Sequence, residues 1–195
     1  MERFPLAKIM EFVSLIHKFQ QVKRVAMTPP AQNRWENDVE HSYQLVMLAW
    51  YVCTTNQLTL DLDRVLKYAL VHDLPEAYAG DTYAYDATDR SDKEVREQEA
   101  CKSLVANFPE FPELHDLLTA YEKREDAESR FVYALDKLID PMNNALNNWE
   151  PARQKGITLK MQNDYKRPKV AHEPLVADYY EDLVAFIKEQ KFNGS

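Results

Sequence analysis

The stretch "VHDLPEAYAGD", residues 71–81, sets an imidazole beside a carboxylate, His72 and Asp73, at the end of an apolar run, and follows them with Glu76 and Asp81. Polar groups in such a setting need partners. Either His72 bonds to nearby backbone while Asp73 pairs with a basic side chain, or a metal satisfies both. Two further places favour the metal. Glu40 and His41 open a helical block in "DVEHSYQL", and Asp136 interrupts the apolar run "FVYALDKLID", where a buried carboxylate requires a counter-charge. His41, His72, Asp73 and Asp136 form an ordered set of two nitrogen and two oxygen donors without a thiolate. Such a set suits one divalent ion such as Mn, Co, Fe or Zn, and accepts Mg less readily. A site of this kind keeps positions open for water and a phosphate oxygen, which points to hydrolysis of a phosphate ester.

Supporting groups follow from the same chemistry. Glu76 comes three residues after Asp73, so on a continuous helix the two share a face and Glu76 enters the cavity without competing as a ligand. A phosphate also needs a cation. Lys23 and Arg24 stand at the end of the first helical block, and Lys137 directly follows Asp136. A guanidinium fork matches two phosphate oxygens, which favours Arg24.

The elements that must position these residues read as helices. Leu6, Ile9, Val13, Ile16 and Phe19 step by three and four, predicting a first helix with that stripe toward a core and an end at "MTPP", 27–30. After the polar loop "AQNRWEND", a second helix runs from about Val39, with Asp38 as its N-cap. The third begins around "LDLDRVLKYALVHDL", faces inward through Leu62, Val65, Leu66, Ala69 and Leu70, and ends near Gly80. A polar loop follows, and Ser91 or Asp92 opens a fourth helix toward Phe108. The fifth spans about Leu114 to Lys123. The sixth carries a core stripe through Phe131, Leu135, Leu138, Met142 and Leu146, with a kink expected at Pro141. Residues 149–171 read as polar and irregular, and a last helix faces inward through Val176, Tyr179, Leu183 and Phe186.

The expected fold is therefore all-α, a single compact domain over 1–195 with its metal-binding core at about 6–148 and a loop and amphipathic helix at 149–195. Composition narrows the function. The 24 Lys and Arg against 32 Asp and Glu give a net charge of -8, which argues against nucleic-acid polymer as a partner. Cys53 and Cys101 lack the spacing of a zinc knuckle or disulfide scaffold and read as buried free thiols, in keeping with a reducing cytoplasm. The N-terminal stretch is interrupted by charge every few residues, so neither a targeting segment nor a membrane partner is expected.

In "EHSYQLVMLA" at 40–49, "ALVHDLPEAYAGD" at 69–81 and "EDAESRFVYALDKL" at 125–138, the chain resembles the HD-domain phosphohydrolases, all-helical metal enzymes defined by the pattern H…HD…D. Within them it looks most like the small 5'-deoxynucleotidase branch. The resemblance covers roughly residues 6–148. It implies metal-dependent hydrolysis of a (deoxy)nucleoside 5'-monophosphate to nucleoside plus phosphate, with a small-molecule nucleotide as partner and a homodimer as its expected assembly. It implies that Glu76 and Asp81 are the catalytic carboxylates that move protons and position water, and that Arg24, with Lys137 second, holds the phosphate. The branch usually carries a tryptophan after that arginine. Here Val25 stands in its place, which leaves deoxyribose selectivity open, with Trp35 as a replacement and Arg34 as a second phosphate contact. Two alternatives are a deoxynucleoside triphosphate triphosphohydrolase and a noncatalytic metal- or nucleotide-binding regulatory module. An HD-fold oxygenase ranks last because His17, His115 and His172 do not match a second iron site.

Overall fold

The sixth helix of the sequence reading organises the molecule. It spans Ala127–Leu146, capped by the Asp126 side chain, which accepts from Ser129 N–H at 2.7 Å, and it runs through Pro141 to Leu146 without ending. Buried residues cover most of its circumference, leaving one partly exposed stripe through Arg130, Tyr133, Lys137 and Asn144, as expected for the central helix of a bundle. The computed structural model describes residues 3–27, 34–80 and 93–190. Among these residues, ten helices and one two-stranded antiparallel ladder form the fold, so the all-α expectation holds.

In chain order the elements are α1 (Leu6–Gln21), β1 (Lys23–Met27), β2 (Trp35–Asn37), α2 (Asp38–Thr55), α3 (Leu62–Val71) and α4 (Glu76–Ala79). They are followed by α5 (Lys93–Asn107), α6 (Pro112–Lys123), α7 (Ala127–Leu146), α8 (Glu150–Gln154), α9 (Leu159–Val170) and α10 (Pro174–Glu189). A first apolar cluster joins α2, α3, α9 and α10 to α7 through side chains such as Leu45, Val65, Leu135, Val170 and Tyr180. A second gathers Leu15 and Phe19 of α1 with Leu74, Leu104, Phe108 and Leu114. The turn after α3 sits beside both. Among the described residues no helix is long and apolar enough to cross a membrane.

Several elements differ from the sequence reading. The ladder pairs Lys23 with Asn37 and Met27 with Trp35, although most of this region reads as polar loop. Asn37 rather than Asp38 caps α2: its side chain accepts from Glu40 N–H at 3.1 Å, and the Glu40 carboxylate accepts from Asn37 N–H at 3.1 Å. The third helix ends at Val71 rather than Gly80, because Pro75 has no N–H for the Val71 carbonyl and its ring crowds that oxygen.

Burial corrects the inward faces. On α1 the buried side chains are Leu15 and Phe19, and Leu6, Ile9, Val13 and Ile16 face outward. Leu70 of α3 and Leu146 of α7 are exposed as well. On α10 the core stripe is Val176, Tyr180, Val184 and Ile187, one position along from the expected Tyr179, Leu183 and Phe186. Residues 149–171 hold α8 and α9 instead of irregular chain. The buried positions of α9 are Leu159, Gln162, Lys166 and Val170, so two polar residues mask a helical stripe. The expected caps Ser91 and Asp92 and the loop before them lie outside the described residues.

Candidate metal centre

Three breaks in regular structure bring the polar residues together. The Asn37–Glu40 capping box starts α2 so that His41 stands in its first turn and is fully buried. Pro75 stops α3 just before His72 and Asp73, which turn the chain toward α4. From α7, Asp136 completes the group. His41 Nε2 lies 3.0 Å from Asp136 Oδ1 and 3.8 Å from Asp73 Oδ2, and His72 Nε2 lies 3.0 Å from the same Asp73 oxygen. Ligand-type atoms of His41, His72 and Asp73 all fall within 4.8 Å of one another. All four ligands expected from the sequence therefore converge.

Both partners of the non-metal reading are also present, and they prepare the centre rather than replace it. His72 Nδ1 is 3.1 Å from the Ala69 carbonyl oxygen, which can only accept, so Nδ1 donates there and Nε2 is the nitrogen turned toward the centre. That Nε2 is buried and makes no hydrogen bond, as suits a nitrogen waiting for a cation. Asp73 Oδ2 accepts from the Arg24 guanidinium at 2.7 Å. Burial opposes ionisation of Asp73, but His72 and Arg24 hold its carboxyl well below the usual carboxylate range. Asp136 is likewise held well below that range against burial by the Lys137 ammonium, which donates to its other oxygen, and by His41. Lys137 in turn is driven well above its ordinary value, because the Asp136 charge outweighs the burial that would lower it.

His41 is the other titrating group. Burial and the Arg24 charge lower its pKa, yet Asp136 and Glu36 prevail and push it up to about 9. Its second ring nitrogen, Nδ1, lies 3.2 Å from Glu36 Oε1. Tyr121, whose ring meets His72 edge-on at 5.8 Å, is pushed well above its ordinary value by burial and the Asp136 charge and stays a neutral hydroxyl.

Glu76 is buried, and one oxygen each of Asp38, Asp73 and Glu76 lie within 4.8 Å of one another. Arg24 also reaches Asp38 at 3.3 Å and Glu36 at 3.4 Å. Asp81 and the Val25 side chain lie outside what the structure describes. Lys23 is exposed. Arg34 forms a two-pronged ion pair with Glu40 at 2.6 and 2.8 Å on the surface, and the Trp35 ring carries Lys155 Nζ 4.9 Å from its centre. His115 bonds to the Phe108 carbonyl, and His17 and His172 are exposed, so none of the three joins the centre.

The sequence reading missed Glu36, Asp38 and Asp140 as parts of this site. Glu36 is the buried middle residue of the three-residue strand β2, too short to show an alternating pattern. The only signal for Asp140 is its place four residues after Asp136 on the same helix.

An all-helical bundle with two imidazoles and two carboxylates meeting at the break between α3 and α4 defines a metal-centre protein of the H…HD…D type. The sequence profile of the HD domain family matches residues 16–175, and the chain belongs to that family. It is 32% identical to the 5'-deoxynucleotidase HDDC2 of Bos taurus over 170 residues, covering 86% of this chain and 80% of that one. The Mus musculus protein of the same name is 30% identical, over 87% of this chain and 84% of its own. A protein from Magnetospirillum magnetotacticum MS-1, described as a "predicted metal-dependent phosphohydrolase", superposes over the full length of both chains with a TM-score of 0.84 at 29% identity.

Proposed function

We propose that the chain is a metal-dependent phosphohydrolase that cleaves a (deoxy)nucleoside 5'-monophosphate into nucleoside and phosphate. The observation that carries this reading is the convergence of His41, His72, Asp73 and Asp136 around an uncommitted His72 Nε2, with Arg24 and Lys137 as cations at its edge. The relatives named 5'-deoxynucleotidase support the substrate class.

The donor set fits one divalent first-row ion such as Mn, Co, Fe or Zn, with Mg the weaker match. Such an ion, when bound, acidifies water and neutralises charge on a phosphoryl group. The remaining work falls to side chains. Arg24 bridges Asp38 and Asp73, and its guanidinium fork would hold a substrate phosphate oxygen beside an ion bound by Asp73. Lys137 adds a second positive charge on the Asp136 side. Glu76, buried beside Asp73 and Asp38, holds a proton or orients water, and Asp81 shares that task. The free thiols Cys53 and Cys101 suit a reducing cytoplasm. The family match from residue 16 to 175 supports one domain that includes the C-terminal helices.

We also infer that the protein pairs with a second copy. Leu6, Ile9, Met10, Val13 and Ile16 of α1 and Tyr43, Met47, Trp50 and Tyr51 of the adjoining α2 are between 39% and 68% exposed. Large apolar side chains left exposed on two adjoining helices are the kind of surface that an interface between copies buries, about 800 Å² per partner in a standard one. No charged residue occurs from Ser42 to Thr55. The α2 half of this surface lets two chains of net charge -8 meet without opposing like charges. Sedimentation should give twice 22.8 kDa for the parent and 22.8 kDa for Met10→Glu combined with Trp50→Glu. A monomeric parent refutes the pairing.

The function itself is tested by phosphate release from ribo- and deoxynucleoside mono-, di- and triphosphates with Mn, Co and Mg in parallel. Release of orthophosphate from monophosphates is expected. Triphosphate as the product would assign a triphosphohydrolase, and metal binding without any hydrolysis would refute the enzyme.

A further inference from the structure

His41 has carboxylates on both sides. Its Nε2 faces Asp136 and Asp73, while on the far side a ring nitrogen of His41 and one oxygen each of Glu36 and Asp140 lie within 4.8 Å of one another. Glu36 is 2% exposed and His41 fully buried, so neither has water as an easy alternative partner. Both outer carboxylates are themselves tied down. Glu36 Oε2 accepts from Asn143 Nδ2 at 3.4 Å, and Asn143 exchanges amide hydrogen bonds with Gln44 at 2.9 and 3.1 Å. Asp140 Oδ2 accepts from the buried Lys166 ammonium of α9 at 2.7 Å.

We propose that Glu36 and Asp140 are positioning residues for the metal centre, holding His41 with its Nδ1 edge toward them and Nε2 toward the ion position, and that Lys166 braces this arrangement from α9. The inference rests on the reading of His41 as a metal ligand. The 3.2 Å contact of His41 Nδ1 with Glu36 Oε1 is an ion-pair approach rather than an aligned hydrogen bond, and a carboxylate so close to one ring nitrogen orients the ring and makes the other nitrogen a stronger ligand. The Glu36 oxygen 3.2 Å from Nδ1, with an Asp140 oxygen in the same 4.8 Å cluster, holds that edge of the ring and leaves Nε2 turned toward Asp136 and Asp73. The Lys166–Asp140 contact makes α9 part of the centre, although α9 supplies none of the four ligands.

The test is calorimetric titration of Mn2+ into the metal-stripped full chain, with no nucleotide present. Glu36→Gln keeps the shape but removes the anion, and should weaken Mn2+ binding by about 10- to 100-fold; Asp140→Asn should weaken it by about tenfold. In the zinc-loaded parent, nitrogen-15 spectra of labelled histidine should show His41 protonated at Nδ1 with a slowly exchanging proton, and Glu36→Gln should speed that exchange. A purely structural role would lower the melting temperature and leave Mn2+ affinity and the His41 signal unchanged. That result overturns the proposal. An effect of Glu36→Gln alone overturns the part assigned to Asp140 and Lys166. If either variant does not fold, Asn143→Ala, which frees the Glu36 carboxylate without removing charge, should weaken Mn2+ binding several-fold, and parent affinity there overturns the role of Glu36. A parent that binds Mn2+ but hydrolyses no nucleotide would sink the proposed function and leave this inference standing. A parent that binds no Mn2+ would end both.

Discussion

Metal uptake should be coupled to one proton at His41. Asp136 at 3.0 Å and Glu36 at 3.2 Å outweigh burial and Arg24 and place its pKa at about 9 in the metal-free protein, so at neutral pH the ring is an imidazolium. A cation must displace that proton before Nε2 can bind it. At pH 7 this competition lowers apparent affinity on the order of 100-fold relative to the neutral ring, about 3 kcal/mol. Between pH 6.5 and 8.5 the Mn2+ dissociation constant should therefore fall about tenfold per pH unit. Titrations in two buffers of different ionisation enthalpy at pH 7 should show close to one proton released per ion. The stability of the metal-free protein runs the other way. A raised histidine pKa contributes stability that is complete below the unfolded value of about 6.5 and is lost as pH rises through about 9, so the melting-temperature gain from saturating Mn2+ should widen with pH. A dissociation constant that is flat from pH 6.5 to 8.5, with no proton released, would refute the imidazolium.

Three further outcomes follow from particular contacts. Arg24→Ala should cut turnover by roughly 30- to 1,000-fold, about 2 to 4 kcal/mol, through loss of the phosphate contact, while Mn2+ binding tightens because the guanidinium no longer competes for Asp73 Oδ2; steady-state kinetics beside calorimetry separates the two. Asp140 is held down to about 2 by Lys166 against burial, so it contributes about 2 kcal/mol that is fully present above the ordinary carboxylate pKa and disappears as pH falls from about 4 to 2; in urea melts, Asp140→Asn should flatten that acid limb. Leu104→Ala, in the second apolar cluster, should cost about 2 to 5 kcal/mol of stability and leave the Mn2+ dissociation constant of the folded protein unchanged.

The proposed ligands were legible because they are costly where they stand. His72 and Asp73 at the end of an apolar run, and Asp136 inside one, conflict with their neighbours in a way that a solvated surface residue does not. The helices that hold them were legible from spacing, though not always their faces. On α1, Phe12, Leu15 and Phe19 recur at helical spacing just as Leu6, Ile9, Val13 and Ile16 do, and periodicity alone does not say which stripe meets the rest of the protein. Only the packing of Leu15 and Phe19 against Leu74 and Phe108 decides it.

Polar burial without an apolar run leaves less trace. Glu36 and Lys166 are as buried as core leucines, yet each lies among polar neighbours, in "NRWEND" and "NDYKRPK", where a charged residue is unremarkable. Each is held inside by a partner far along the chain: Glu36 by Asn143, and Lys166 by Asp140. Local propensity and tertiary demand therefore disagree at the same positions, and such disagreement gathers at functional sites. A buried charge persists only where another group needs it. At His41 that need is a ring held with one nitrogen toward Glu36 and the other toward Asp136 and Asp73, an orientation that anchored carboxylates favour and an apolar wall would not.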